Sequence, residues 1–327
     1  MTGTTTATDL AFDVRGLRKS YGNLTVLDGI DLSIERGSVF ALLGPNGAGK
    51  TTTVQILATL INADGGTAVV GGHSVVDEPG RVRRAIGVTG QFSAVDELLT
   101  GAENLRLIAR LRHVPKGERE ALIERLLRQF ELTEAAGRPA STYSGGMRRR
   151  LDLAMTLVGD PRIIFLDEPT TGLDPRSRRA MWDVVRTLVA GGVTLFLTTQ
   201  YLEEADQLAD RVAVLDGGRI VAEGTPAELK AMVGEEQLRL RFATEDQARR
   251  ARRALAAVVP DGLPASGDGL ELRVPTPANG TAVRGVLNLL ADAGVEPAEV
   301  TTAAPDLDDV FFALTGAPNQ ASTQEEA

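Results

Sequence analysis

The sequence predicts an α/β fold: a phosphate-loop domain of short apolar strands alternating with helices, followed by a small α+β domain. Three observations predict it. The apolar run 39–43 leads straight into Gly44-Pro45-Asn46-Gly47-Ala48-Gly49-Lys50-Thr51, a glycine-rich phosphate loop placed where a strand ends and a helix begins. Two further apolar runs of strand length, 162–166 and 193–198, flank a helix-length segment at 176–188; this alternation is expected of a largely parallel sheet. Past Gly234 the composition changes, and strand-like and helix-like segments alternate in a second, shorter series.

Residues 1–9 are threonine-rich and read as a disordered tail, and 10–14 and 26–34 alternate as strands. A helix follows the phosphate loop from about Thr52, and 67–71 reads as a strand. Segments 102–112, 119–130 and 147–158 carry helical apolar spacing. Beyond the strand–helix–strand run, 211–215 and 219–222 form a hairpin around Asp216-Gly217-Gly218, and a helix over 226–232 ends at Gly234. The second series has strands at 238–242, 270–274 and 299–302 and helices at 245–257, 282–293 and 307–314. Residues 317–327 are polar and read as a second disordered tail. The expected domains are 10–234 and 235–316, the latter serving as a stabilising appendage or in regulation or assembly.

The 327 residues hold one large or two ordinary domains with sizeable cores. The 43% hydrophobic and 24% charged content is that of a soluble globular protein, and no apolar stretch approaches the ~18–20 residues that cross a bilayer. The N-terminal segment has neither the basic region nor the apolar core of a signal peptide. Without cysteine there is no disulfide or thiolate metal site, and His73 and His113 alone do not make a histidine metal centre. The net charge of −9 argues against broad nucleic-acid binding and against a general grip on anionic lipid. Membrane contact would need a specific partner.

The loop's glycines let backbone N–H groups turn inward around phosphates. Lys50 supplies a point charge for the β/γ-phosphates, Thr51 a hydroxyl for Mg²⁺, and the helix from Thr52 its positive end. The strand 162–166 delivers Asp167 and Glu168. Such a pair also serves as a helix cap, but beside a phosphate loop Asp167 is placed to hold Mg²⁺ and Glu168 to polarise a water in line with the γ-phosphate. Ser144-Gly145-Gly146 opens the helix near Met147, giving a hydroxyl, two unencumbered amides and a helix N-terminus, a second anion cradle. One nucleotide does not need two cradles from one subunit, so this one is expected to serve a nucleotide held by a second subunit. Arg148-Arg149-Arg150 follows, a solvated charged face unless an anion or acidic neighbour offsets the helix dipole.

With these motifs in this order, residues 10–232 resemble an ATP-binding subunit of an ABC transporter, which implies an ABC-type ATPase domain with a helical signature subdomain. On that resemblance Gln91 matches the glutamine loop, implying contact with ATP and Mg²⁺. Tyr143-Ser144-Gly145-Gly146-Met147 matches the signature, Gly172-Leu173-Asp174 the dimer-contact loop, and Tyr21 the ring that stacks on adenine. Tyr143 and Met147 replace the commoner Leu and Gln. Gln200 stands where the family usually has a histidine on the γ-phosphate; glutamine donates a hydrogen bond but carries no proton, which implies positioning rather than proton transfer. Thr198-Thr199-Gln200-Tyr201-Leu202-Glu203-Glu204-Ala205-Asp206, Thr100-Gly101-Ala102-Glu103-Asn104-Leu105 and Leu307-Asp308-Asp309-Val310-Phe311 resemble the subgroup of daunorubicin/doxorubicin-type drug exporters. The resemblance implies a homodimeric ATPase, peripheral on the cytoplasmic face of the membrane. It would pass motion to a separate integral-membrane permease through the region from Gln91 to about Arg112, to export hydrophobic drugs or natural products. A soluble ABC ATPase acting on DNA or ribosomes is the rival. The paired cassettes, long coiled coils or basic segments common there are not evident, and the acidic charge counts against it. Glu168 argues against a non-hydrolysing nucleotide binder.

Overall fold

In the computed structural model, which describes residues 10–90, 94–232, 237–256, 269–275, 280–303 and 306–315, the apolar runs around the phosphate loop become the centre of a six-stranded sheet. The tails 1–9 and 317–327 and Gln91 lie outside the described residues. The chain divides into two units, 1–223 and 224–327.

The first unit runs β1 (Leu10–Tyr21), β2 (Leu24–Glu35), β3 (Val39–Leu43), α1 (Lys50–Leu57), β4 (Gly65–Val70), β5 (His73–Ser74), α2 (Pro79–Ala85) and β6 (Ile86–Thr89). Three helices follow, α3 (Gly101–Leu111), α4 (Arg119–Gln129) and α5 (Gly145–Thr156). Then come β7 (Ile163–Asp167), α6 (Pro175–Ala190), β8 (Thr194–Thr199), α7 (Leu202–Leu208), β9 (Arg211–Asp216) and β10 (Arg219–Gly224). One sheet has the order β2-β1-β4-β5 and is antiparallel; the other has the order β10-β9-β3-β8-β7-β6 and is parallel from β9 to β6. Strands β3, β7 and β8 are buried along their whole length, as expected where both faces of a parallel sheet are covered. Phe12 of β1 meets Phe165 of β7 and Phe196 of β8 at ring-centroid distances of 5.5 and 5.4 Å, and Phe196 meets Phe40 of β3 at 5.5 Å. These rings join the two sheets in one core, each pair adding about 0.5–1.5 kcal/mol beyond its buried area.

Helix α3 packs on α4 and α5, and its first turn decodes the segment 100–105. Thr100 and Glu103 close a capping box. The Asn104 amide is buried, donating to Asp96 O (2.9 Å) and Thr100 O (3.1 Å) and accepting from Asp96 N (2.8 Å). Gly101 lies so close to the Tyr143 hydroxyl that a Cβ would collide with it. That hydroxyl donates to Ala135 O at 2.6 Å, which is why tyrosine stands at this position of the signature: it anchors the segment ahead of α5.

The second unit holds α8 (Pro226–Ala231), β11 (Gln237–Arg241), α9 (Glu245–Leu255), β12 (Glu271–Pro275), α10 (Gly280–Asp292), β13 (Glu299–Ala303) and α11 (Leu307–Thr315). The sheet order is β12-β11-β13, with both pairings antiparallel. Alternate residues of β11 and β12 (Leu238, Leu240, Leu272, Val274) meet Ala251 and Leu255 of α9 and Leu290 of α10 in a separate core. Arg273 ties β12 to the start of α11, donating to Asp309 at 2.7 Å. The predicted order of strands and helices in this series is the observed one. In the first unit β5, α2, β6 and α7 add to the predicted elements. No described helix is long and apolar enough to cross a membrane.

Candidate active site

Three chain crossings leave the parallel sheet at one level. In the ladder Leu43 pairs with Thr199 and Asp167 with Thr198, so Gly44, Glu168 and Gln200 follow their strands at the same edge. The loop at 44–49 needs its glycines. Gly49 adopts φ 111°, and a Cβ there would lie 2.7 Å from Leu27 Cδ2 and 2.9 Å from Val26 O; Gly44 is pressed against Leu215 O. The φ of 83° at Gly47 is one that L side chains rarely adopt. Pro45, Asn46 and Ala48 complete the turn, Ala48 donating its N–H to Pro45 O at 3.2 Å. Thr51 and Thr52 lie in the first turn of α1.

Lys50 is only 5% exposed. Its Nζ donates to Gly44 O (2.7 Å) and Pro45 O (3.1 Å) and stands 3.9 Å from Glu168 Oε1. Burial lowers its pKa, while Glu168 and Asp167 push back. The Thr198 hydroxyl donates to Asp167 Oδ1. Glu168 takes φ 48°, the left-handed region, held there by its N–H donating to Thr198 O (3.0 Å) and to Thr198 Oγ1 (3.2 Å). Such a backbone costs about 1–3 kcal/mol and persists where its surroundings over-determine it. Here it turns the chain straight after Asp167, so that two successive carboxylates meet one site. The Thr51 hydroxyl and Asp167 carboxylate are hard oxygen donors, the type Mg²⁺ takes alongside phosphate oxygens.

A second cluster lies at the N-terminus of α5. Ser144 caps it, accepting from Met147 N at 3.2 Å. Gly145 and Gly146 form its first residues, and a Cβ on Gly146 would lie 2.7 Å from Ser177 Oγ of α6. Asp174 caps α6, accepting from Arg176 N and Ser177 N at 3.0 Å and from Ser177 Oγ at 2.6 Å. Its carboxyl is held below the ordinary range by the Ser177 hydroxyl and N–H. Asp174 and the signature are therefore neighbours.

Arg149 joins the two clusters. Its guanidinium donates to Gly90 O (2.8 Å), Asp167 O (3.0 Å) and Pro169 O (3.0 Å) and pairs with Asp152 at 3.4 Å. The three arginines are thus not a uniform solvated face. Arg148, in the first turn of α5, pairs with Glu97 at 3.6 Å, and Arg150, one turn further on, with Glu131 at 2.9 Å. Arg149 and Thr198 are residues that sequence reasoning missed. The only signal for Arg149 was the arginine run itself, and for Thr198 its place in the Thr-Thr-Gln segment ahead of Tyr201. Tyr21 stands 51% exposed at the end of β1, with Lys19 Nζ 5.4 Å from its ring centroid. Gln200 follows β8, half-buried.

A phosphate loop at a parallel sheet edge, an Asp-Glu pair at the neighbouring strand end and a lysine between them define a P-loop nucleoside-triphosphate-binding protein. Comparison with known proteins narrows the class. The family model described as ABC transporter matches residues 27–171. The chain is 48% identical over 319 residues to the daunorubicin resistance ATP-binding protein DrrA2 of Streptomyces coeruleorubidus, covering 97% of this chain and 98% of that protein. It is 44% identical to the doxorubicin resistance ATP-binding protein DrrA of Mycobacterium tuberculosis (strain ATCC 25618 / H37Rv), covering 96% of each. A solved structure of an ATP-binding subunit of an ABC transporter superposes with a TM-score of 0.61 at 29% identity, over 68% of this chain and 92% of that one. A dimeric, post-hydrolysis ATP-binding cassette bound to ADP and phosphate superposes with a TM-score of 0.59 at 25% identity, over 65% of this chain and 98% of that one. The chain belongs to the ATP-binding proteins of ABC transporters, in the group of the daunorubicin/doxorubicin resistance ATP-binding proteins.

Proposed function

We propose that the chain is the ATP-hydrolysing subunit that powers export of hydrophobic drugs or natural products through a separate integral-membrane permease. The observation that carries this reading is the near-full-length likeness to drug-resistance ATP-binding proteins, which runs through the second unit as well as the site. In this reading the ATP-binding domain is 10–234 and the accessory domain 235–316.

Lys50 and the loop amides bind the β- and γ-phosphates, and Tyr21 stacks on the adenine. Glu168 orients and polarises the attacking water, and Gln200 donates a hydrogen bond to the γ-phosphate. Thr51, Asp167 and Gln91 would hold Mg²⁺, which supplies charge neutralisation at the transferring phosphoryl group. Ser144, Gly145, Gly146 and Asp174 serve the nucleotide of a second copy, so two subunits meet head to tail around two ATP molecules. The dimer works at the cytoplasmic face of the membrane, held there by the permease.

Co-purification of a Glu168→Gln variant from native membranes tests this. An integral-membrane protein with several apolar spans should accompany the ATP-loaded variant. Recovery of the variant with ribosomes or DNA, and no membrane protein, would overturn it.

A further inference from the structure

A cleft of about 450 Å³ in the first unit is lined by Arg36, His73, Arg81, Arg84, Asp160 and Arg162. Its place in the fold separates it from the nucleotide. Arg36 precedes β3, Arg84 lies in the last turn of α2 just before β6, and Arg162 immediately precedes β7. The cleft therefore sits at the N-terminal ends of the parallel strands, the edge opposite Gly44, Glu168 and Gln200. Arg162 is anchored by its backbone, its N–H donating to Ala85 O and its carbonyl accepting from Thr194 N, both at 3.0 Å.

The lining is unusual for this chain. The net charge is −9, and several arginines elsewhere face carboxylates, as Arg106 faces Glu120 at 2.9 Å and Arg211 faces Glu223 at 2.9 Å. Four arginines and one carboxylate, Asp160, line the cleft. Glu78 nearby engages Arg81 at 3.0 Å and His73 at 3.4 Å, and neither Arg84 nor Arg162 forms an ion pair with a described residue. Like charges gathered in a cleft repel, and a counter-charge relieves them. The planar guanidinium fork matches phosphate oxygens two at a time.

We propose that this cleft is a second anion site, separate from the nucleotide site, for a ligand carrying two or more phosphate charges. The same chemistry is offered by a free oligophosphate and by a phosphorylated lipid headgroup, and the test distinguishes them.

The full chain, saturated with ADP to fill the phosphate loop, is titrated with pyrophosphate by calorimetry. In parallel it is sedimented with phosphatidylcholine vesicles with and without cardiolipin. Both measurements are repeated on Arg84→Glu/Arg162→Glu and on the milder Arg84→Gln/Arg162→Gln, with ATPase activity and melting temperature followed in each. The expected result is pyrophosphate binding beyond the ADP site, weakened about tenfold or more in both double variants, the loss of two charge-assisted contacts, with ATPase activity retained. Binding to cardiolipin vesicles alone, lost in the same variants, assigns the ligand to a lipid headgroup. The proposal is overturned if wild type binds neither probe, or if the folded glutamine variant binds as tightly as wild type.

Discussion

Glu204, in the first turn of α7, carries a pH dependence whose size follows from its surroundings. Its carboxyl is fully buried, and desolvation pushes its pKa from 4.5 up to about 7. The Thr199 and Thr170 hydroxyls, the Trp182 indole and the Arg178 charge restrain the rise. Their geometry is loose: neither carboxyl oxygen makes a well-formed hydrogen bond among the described residues, nor does Thr170 Oγ1 or Trp182 Nε1. The fold therefore favours the neutral acid. The stability that Glu204 contributes is fully present below pH 4.5, declines as the pH rises, and is gone above about pH 7. The full span is worth about 3 kcal/mol at about 1.4 kcal/mol per pH unit. Glu204→Gln keeps the shape and never ionises. Relative to wild type it should gain about 2 kcal/mol between about pH 5.5 and about pH 8. Urea unfolding followed by the fluorescence of Trp182, the chain's single tryptophan, reads this out beside the carboxyl itself. If the two proteins change stability in parallel over that range, Glu204 is ionised in the fold and the reasoning fails.

Lys50→Ala should weaken nucleotide binding, whereas Glu168→Gln should bind ATP normally and hydrolyse it roughly 10²–10⁴-fold more slowly; near-normal turnover in a single-turnover assay would remove Glu168 from its role. Gln200→Ala should lose much of the ATPase activity. Gln200→His should retain it while adding a pH dependence near the imidazole value of about 6.5, which pH–rate profiles of both variants will show or refute. Tyr143→Phe leaves Ala135 O without its 2.6 Å donor and should cost about 1 kcal/mol in denaturant unfolding.

The parts of this molecule that were legible in the sequence are those where a local pattern decides the outcome. Val39–Leu43, Ile163–Asp167 and Thr194–Thr199 read as buried strands because they are apolar throughout and each ends in a chemical motif. The second unit was legible because its segments switch period cleanly. Strand β6 was not, because it is short, contains Gly87, and exists through pairing with β7. Helix α2 begins at Pro79-Gly80, a dipeptide more typical of turns than of helices. At the site, the loop and the Asp-Glu pair carry their chemistry in their order. Arg149 is distinguished from Arg148 and Arg150 only by the carbonyls that folding brings to it, and Thr198 only by the ladder that sets it opposite Asp167. The reason for Tyr143 lies in Ala135, eight residues before it, and in Gly101, far from it in sequence.

The shared level at which β3, β7 and β8 end has a consequence for how this chain tolerates insertions and deletions. All residues of β7 up to Asp167 are apolar and buried, so a one-residue slip exchanges one apolar side chain for another at every place but the end one, which takes Arg162 or Asp167. The same slip carries Asp167 and Glu168 about 3.3 Å along the strand and away from Lys50. Folding and hydrolysis are thus protected to different degrees by the same five residues. Single-residue deletions across 163–166 should leave more protein folded than active, and deletions that abolish folding and activity equally would show that packing, not register, is the limiting constraint.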